Sequence, residues 1–189
     1  MSEYHNTKAE DRVPLGQKLA VGAGGFPIQN GGLIVQYMAQ PIFQIFLGLN
    51  PALFGLAMTI PRIWDAFTDP VMGRISDRTQ SRYGRRRPYV FVGALAVALT
   101  FLTIWMVPQS MGDTGTFLWL TIGSVLFFTA FTVFSVPFNA LVYEQTPDYH
   151  ERTRLMFYLA LFYNIGNLCV NWYVPATNWS GFENKKVGA

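Results

Sequence analysis

Charged side chains are scarce in this chain. Asp, Glu, Lys and Arg make up 13% of its 189 residues, whereas hydrophobic residues make up 51%. Soluble domains carry about 25% charged residues, because their surfaces face water. The deficit therefore predicts an all-α integral membrane protein. The net charge of +3 does not point to nucleic acid, because nearly half of the cations lie in one loop between apolar runs.

Residues that catalysis usually requires are also missing. Cys169 is the lone cysteine, so the sequence has no disulfide framework and no cysteine-rich metal site. There is no HExxH or CxxC motif, no glycine-rich phosphate loop and no pairing of a nucleophile with a base. We expect no enzyme activity and no cofactor. A membrane enzyme that used two acids as general acid and base would be revealed by chemical change in its substrate.

Five apolar stretches are long enough to cross a bilayer core of about 30 Å. We predict five transmembrane helices within residues 18–175, a polar cytoplasmic tail at 1–17, and an external tail or the start of an external loop at 176–189. The stretches lie near residues 19–48, 52–73, 88–107, 116–142 and 154–175.

The distribution of cations predicts the orientation. Most of the Lys and Arg residues fall on one side of the predicted spans, and only Lys185 and Lys186 fall on the other. By the positive-inside rule the N-terminus is expected in the cytoplasm. The predicted location is the plasma membrane, as a multi-pass protein of the bacterial inner membrane.

The second stretch contains an acid pair at membrane depth. Arg62, Asp65 and Asp69 recur at spacings of three and four residues, so they share one helix face. Each acid costs about 2.5 to 3.5 kcal/mol to insert. A bound cation, a proton or the neighbouring Arg62 would reduce that cost. The pair therefore indicates either a site for a coupling ion or proton, or a structural salt bridge between Arg62 and Asp65.

Uncharged polar side chains form stripes on three other predicted helices. Amide and hydroxyl groups facing a cavity suit a neutral, polyhydroxylated ligand such as a sugar. The alternative is that they form hydrogen bonds between helices. The stripes consist of Gln29, Gln36, Gln40 and Gln44; Thr132, Ser135 and Asn139; and Asn164, Asn167 and Asn171.

Two segments carry a family resemblance. WDAFTDPVMGRISDRTQSRYGRRRP, residues 64–88, and PFNALVYEQTPDYHERTRL, residues 137–155, resemble the corresponding segments of the glycoside–pentoside–hexuronide cation symporters, typified by the melibiose permease, in the major facilitator superfamily. The resemblance implies a sugar transporter of two six-helix halves that works by alternating access. Five spans are fewer than such a half contains, so the chain is expected to be an N-terminal fragment whose partner is the missing C-terminal helices.

The resemblance, together with the acid pair and the polar stripes, predicts roles for individual residues. Asp65 and Asp69, with Arg62 tuning them, are expected to bind the coupling ion, which is sodium or a proton. The substrate contacts are expected to be Gln29, Asn30, Ser135, Asn139 and Asn164. The cytoplasmic gate is expected to comprise Asp77, Arg78, Arg85, Glu144, Glu151 and Arg152. The arginine loop around Asp77 also serves as a topological anchor.

Departures from the melibiose permease leave alternatives open. Ile28 and Gln29 stand where that protein has a lysine–aspartate pair, and Ser135 stands where it has an acid. Melibiose recognition is therefore not expected. Because a sodium site of that kind needs a third carboxylate, these departures favour proton coupling or facilitated transport without coupling. A truncated, non-transporting sensor or remnant is the remaining alternative.

Overall fold

The protein is helical throughout its described regular elements. A computed structural model describes residues 11–108 and 111–177, and no strand occurs among them. The prediction of an all-helical chain is confirmed. The elements are α1 (Leu15–Ala39), a π-helical segment (Gln40–Phe46), α2 (Pro51–Arg78), α3 (Arg87–Trp105), α4 (Asp113–Tyr143) and α5 (Tyr149–Thr177).

Two of these helices, α3 and α4, are long and apolar enough to cross a membrane. The other three predicted spans remain predictions, as does the cytoplasmic N-terminus. Of the two predicted tails, residues 1–10 and 178–189 lie outside the described residues.

The start of α2 follows from local sequence. The Asn50 side chain accepts a hydrogen bond from the Ala52 N–H at 2.8 Å, and Pro51 is the first helical residue. Such a cap satisfies one of the free N–H groups of the first turn, and proline has no N–H to leave unpaired there. From this cap α2 continues through Pro61 and Pro70 to Arg78.

A wider helix replaces the last turns of the first apolar stretch. Gln40–Phe46 is π-helical, with Pro41 in its first turn. The Leu47 N–H donates to the Ile42 carbonyl five residues earlier, at 3.0 Å. A π-helix has more residues per turn than an α-helix. The spacing of 100° per residue that predicted one glutamine face therefore does not extend past Ala39.

The chain divides into two compact units, of which one is Val35–Gln145. Its core contains the buried side chains of Phe43, Ile104, Leu120 and Phe127. Within it α3 and α4 approach closely at Gly93, where an added Cβ would lie 2.6 Å from the backbone nitrogen of Phe134. Only glycine, which has no Cβ, allows α3 and α4 to approach this closely at Gly93.

The other unit contains the described residues up to Ile34 and those from Thr146 onward. Here α1 packs against α5 through glycines. A Cβ on Gly22 would lie 2.5 Å from the Phe162 ring, and a Cβ on Gly166 would lie 1.9 Å from the Asn30 amide nitrogen. Small residues let the two helix backbones approach, as in many membrane helix pairs.

Candidate functional site

The acid pair lies on the face of α2 that contacts α4. The Thr132 hydroxyl of α4 donates a hydrogen bond to Asp69 Oδ1 at 2.8 Å. Asp65, one turn earlier, is half-buried, and its Oδ1 is buried without a hydrogen-bond partner. A buried carboxylate oxygen without a donor is costly, so this oxygen marks a place where a cation or a proton would be stabilised.

Arg62 forms no ion pair with Asp65, because its guanidinium group contacts an aromatic ring of α4. Its guanidinium carbon lies 4.7 Å from the centre of the Phe128 ring. Among the ion pairs within 4.0 Å that the described residues form, none joins Arg62 to Asp65. The arginine instead makes a cation–π contact with α4. The charge of Arg62 still acts on Asp65 at longer range, but it leaves Asp65 Oδ1 without a hydrogen-bond donor.

A second contact between α2 and α4 lies beside the acids. The Trp64 indole N–H donates to the Thr129 hydroxyl at 2.9 Å, and that hydroxyl donates in turn to the Val125 carbonyl at 2.7 Å. These bonds fix α2 against α4 one residue before Asp65. Sequence reasoning did not select Trp64 or Thr129, although Thr129 stands three residues before Thr132 on the same polar face.

Two of the expected substrate residues share α4 with this contact. Ser135 and Asn139 are half-buried and follow Thr132 at spacings of three and four residues. They therefore lie on the helix face that reaches Asp69. This unit thus brings together the acid pair and an uncharged polar stripe.

The remaining expected substrate residues belong to the other unit. Asn30 is fully buried; its amide nitrogen donates to the Phe26 carbonyl at 2.9 Å, and its Oδ1 has no partner. Asn164 is exposed and donates to the Ala160 carbonyl of its own helix at 2.7 Å. The side chain of Gln29 lies outside the described residues.

A charged cluster joins the end of α2 to the end of α4. Arg86 forms ion pairs with Asp77 and with Glu144, the latter at 3.3 Å. Arg85 also pairs with Glu144, at 3.2 Å. Three expected gate residues, Asp77, Arg85 and Glu144, are thereby brought together around Arg86, which was not among the expected gate residues. Arg78 forms no ion pair among those described.

The last two expected gate residues lie in the unit that includes α5. Glu151 is 1% exposed. Its carboxylate accepts a hydrogen bond from the Val13 N–H at 3.0 Å and forms ion pairs with Lys18 and Arg154. Arg152 donates to the Thr146 carbonyl at 3.1 Å. These contacts join the segment before α1 to the start of α5.

The ionisation of Glu151 follows from those partners. Burial by itself raises the pKa of the carboxyl group. Hydrogen bonds from Lys18 and Val13, together with the positive charges of Lys18 and Arg154, outweigh burial, so the pKa is lower than that of an ordinary glutamate. Glu151 precedes the fifth apolar stretch and is an ionised, fully paired group.

The chain belongs to the family of MFS/sugar transport proteins, whose pattern matches residues 20–185. The predicted family is confirmed, and the chain is thereby a transporter-family membrane protein rather than an enzyme.

Several relatives of known name are similar over most of this chain. "Uncharacterized symporter sll1374" of Synechocystis is 36% identical over 144 residues, which are 73% of this chain and 26% of that protein. The sodium-dependent lysophosphatidylcholine symporter 1-A of Danio rerio is 32% identical over 136 residues, 71% of this chain and 25% of that protein. "Putative glycoside/cation symporter YagG" of Escherichia coli is 26% identical over 175 residues, which are 92% of this chain and 37% of that protein. The chain therefore spans about a quarter to a third of the length of these relatives.

Proposed function

We propose that the chain serves in a secondary active transporter that carries a sugar or glycoside together with sodium or a proton by alternating access. The observation that best supports this proposal is the acid pair of α2. Asp65 Oδ1 is buried without a hydrogen-bond donor, whereas Asp69 accepts a hydrogen bond from the Thr132 hydroxyl. The proposal includes five spans with a cytoplasmic N-terminus in the bacterial inner membrane. Names of relatives that denote cation symport support it.

The chemistry of the pair suits a small cation. Carboxylate and hydroxyl oxygens are the ligands that hard cations prefer, and Asp65, Asp69 and Thr132 supply them from two helices that Trp64 and Thr129 fix together. A proton on Asp65 would relieve the same unpaired oxygen. The chemistry of the pair thus fits either ion, and the coupling ion is sodium or a proton.

The polar stripe on α4 supports a neutral, hydrogen-bonding substrate. Ser135 and Asn139 offer donors and acceptors without charge, and the E. coli relative is named for glycosides. A second candidate is a lysophospholipid, because several vertebrate relatives are named lysophosphatidylcholine symporters. Under either alternative the cytoplasmic gate is formed by the cluster of Asp77, Arg85 and Glu144 around Arg86.

Uptake into membrane vesicles tests the proposal. Vesicles containing the complete reading frame are given labelled glycosides, pentoses, hexuronides or lysophosphatidylcholine under a proton gradient and then under a sodium gradient. One charge moving through 100 mV supplies about 2.3 kcal/mol, roughly a 50-fold concentration ratio. We expect Asp65→Asn to lose that accumulation and to retain downhill exchange. Absence of uptake under both gradients would favour the sensor or remnant.

Carboxyl labelling tests the ion site apart from transport. A hydrophobic carbodiimide reacts with protonated carboxyl groups, so sodium or rising pH should protect the wild-type chain. Asp65→Asn should be labelled less and should lose that protection. Asp113→Asn, which removes an exposed acid in the first turn of α4, should behave as wild type. Equal labelling and equal protection in the Asp65 variant would contradict the proposed role.

A further inference from the structure

A cavity of about 860 Å³ lies beside the arginine loop, within the unit Val35–Gln145. Its polar wall is formed by residues of the loop between α2 and α3 and by Glu144 at the end of α4. Its apolar wall includes Phe91 and Val92 of α3 and Leu141 of α4. The cavity is thus lined by charge on one side and by hydrocarbon on the other.

The charge of the polar wall is strongly positive. Arg82, Arg85, Arg86 and Arg87 line the cavity, and Glu144 is the one acid among the lining residues. Glu144 pairs with Arg85 and Arg86. No ion pair of the described residues involves Arg82 or Arg87. Because Arg86 also pairs with Asp77, the wall has an excess of two positive charges, carried by Arg82 and Arg87.

A tight turn brings the arginines onto this wall. Gly84 has a φ of 97°, a left-handed conformation that other residues rarely adopt. Its N–H donates to the Ser81 carbonyl at 3.0 Å. The turn directs the chain back into α3 at Arg87, so that Arg82, before the turn, lines the same cavity as the residues that follow it. The positive wall is consequently held by backbone geometry.

The apolar wall continues along the outside of α3. Phe91, Leu95, Leu99 and Leu102 are all more than half exposed and recur at spacings of four, four and three residues, which is one face of a helix. This helix is apolar enough to cross a bilayer. In the proposed membrane-spanning arrangement, its exposed face leads from the arginine-lined cavity into the hydrocarbon of the bilayer.

We propose that this cavity binds the head group of an anionic phospholipid, whose acyl chains lie along the exposed face of α3. The arginines recognise the phosphate by charge and by bidentate hydrogen bonds, as Arg does in other phosphate sites. A free phosphate ion would make the same contacts with the arginines but would leave the adjoining apolar face uncovered. The site is separate from the acid pair, and it does not depend on which solute the protein transports.

Native mass spectrometry of the full chain in detergent tests the site. Phosphatidylglycerol and phosphatidylcholine with identical acyl chains are titrated separately, with inorganic phosphate as a third arm. We expect one tightly held phosphatidylglycerol per chain. Arg82→Gln with Arg87→Gln should weaken it about 30-fold, since each arginine near an anionic lipid contributes about 1 kcal/mol. The matching lysine pair should restore most of that affinity.

A matched control separates a site from general attraction. Arg74→Gln with Arg78→Gln removes the same charge from neighbouring residues that do not line the cavity, and we expect less than about a 3-fold loss. An equal loss in both double variants, with circular dichroism unchanged, would overturn the proposal. So would equal binding of phosphatidylcholine, or displacement of the lipid by inorganic phosphate at a similar concentration, which would identify a simple anion site.

Discussion

Two carboxylates, one in each unit of the molecule, differ in how completely they are paired. Glu151 is almost fully buried and accepts contacts from Val13, Lys18 and Arg154. Asp65 is half-buried, has one oxygen without any donor, and shares its helix face with a second acid. The first carboxylate is ionised and satisfied by the protein itself. The second has an oxygen, Asp65 Oδ1, that accepts no hydrogen bond from the protein.

This difference separates a structural acid from a candidate binding acid. Breaking a buried, fully paired group leaves its partners uncompensated, which is costly. Removing a charge that the fold does not compensate costs the fold little. The two groups should therefore respond to neutralising substitutions with different magnitudes and with opposite signs, which makes the comparison testable.

The largest effect is expected for Glu151→Ala. This change leaves the Lys18 ammonium, whose side chain is 13% exposed, and the Val13 N–H without partners. We expect a loss of about 3 to 5 kcal/mol in the free energy of unfolding, measured by denaturant titration in micelles. The control Glu144→Ala removes a carboxylate that is 46% exposed and should cost about 1 kcal/mol or less. Similar small losses in both variants would remove the contrast.

An intermediate effect on the free energy of unfolding is expected for Glu151→Gln, and it should depend on pH. Because the pKa of Glu151 is lower in the folded protein, its ionised pairing stabilises the fold fully above the ordinary pKa of about 4.3. That stabilisation is lost as pH falls through the folded pKa. We expect Glu151→Gln to cost roughly 2 kcal/mol at neutral pH, with the gap from wild type closing below about pH 4. A gap that persists unchanged at pH 3 would contradict the assignment.

The smallest effect, with the opposite sign, is expected for Asp65→Asn. Without sodium and at neutral pH, the substitution removes repulsion from Asp69 one turn away, and we expect a gain of about 0.5 kcal/mol. Asp113→Asn removes an acid from the first turn of α4, where the helix dipole favours it, and should cost about 0.3 to 1 kcal/mol. Thermal unfolding of both variants measures the two signs. Destabilisation by Asp65→Asn would place Asp65 among the structural acids.

Local signals predicted part of the fold correctly. The second apolar stretch was predicted to begin near residue 52, and α2 begins at Pro51 after the Asn50 cap, because capping depends on residues adjacent in sequence. The end of α2 was placed near residue 73, yet the helix continues to Arg78. The apolar run ends earlier than the hydrogen-bonded helix, since polar residues continue a helix outside hydrocarbon. The π-helical turn after Ala39 left no compositional signal.

The candidate site likewise combines features that the local sequence predicts with features that depend on packing between helices. The spacing of Asp65 and Asp69 on one helix face was predictable from periodicity. The hydrogen bond from Thr132 was not, because it joins residues 63 positions apart and depends on how α2 packs against α4. The position of Arg62 over Phe128, rather than against Asp65, likewise follows from packing between helices. Pattern identifies which residues share a face, and tertiary packing decides which partners they meet.

The contact between Val13 and Glu151 has a consequence for biosynthesis, because the two residues are separated by 138 positions. At about 5 to 20 residues per second, a ribosome makes Glu151 roughly 7 to 28 s after Val13. During that interval Lys18 is without its carboxylate partner, while α2, α3 and α4 are synthesised. The start of the chain therefore reaches its final contacts only after the segments that follow it have been made.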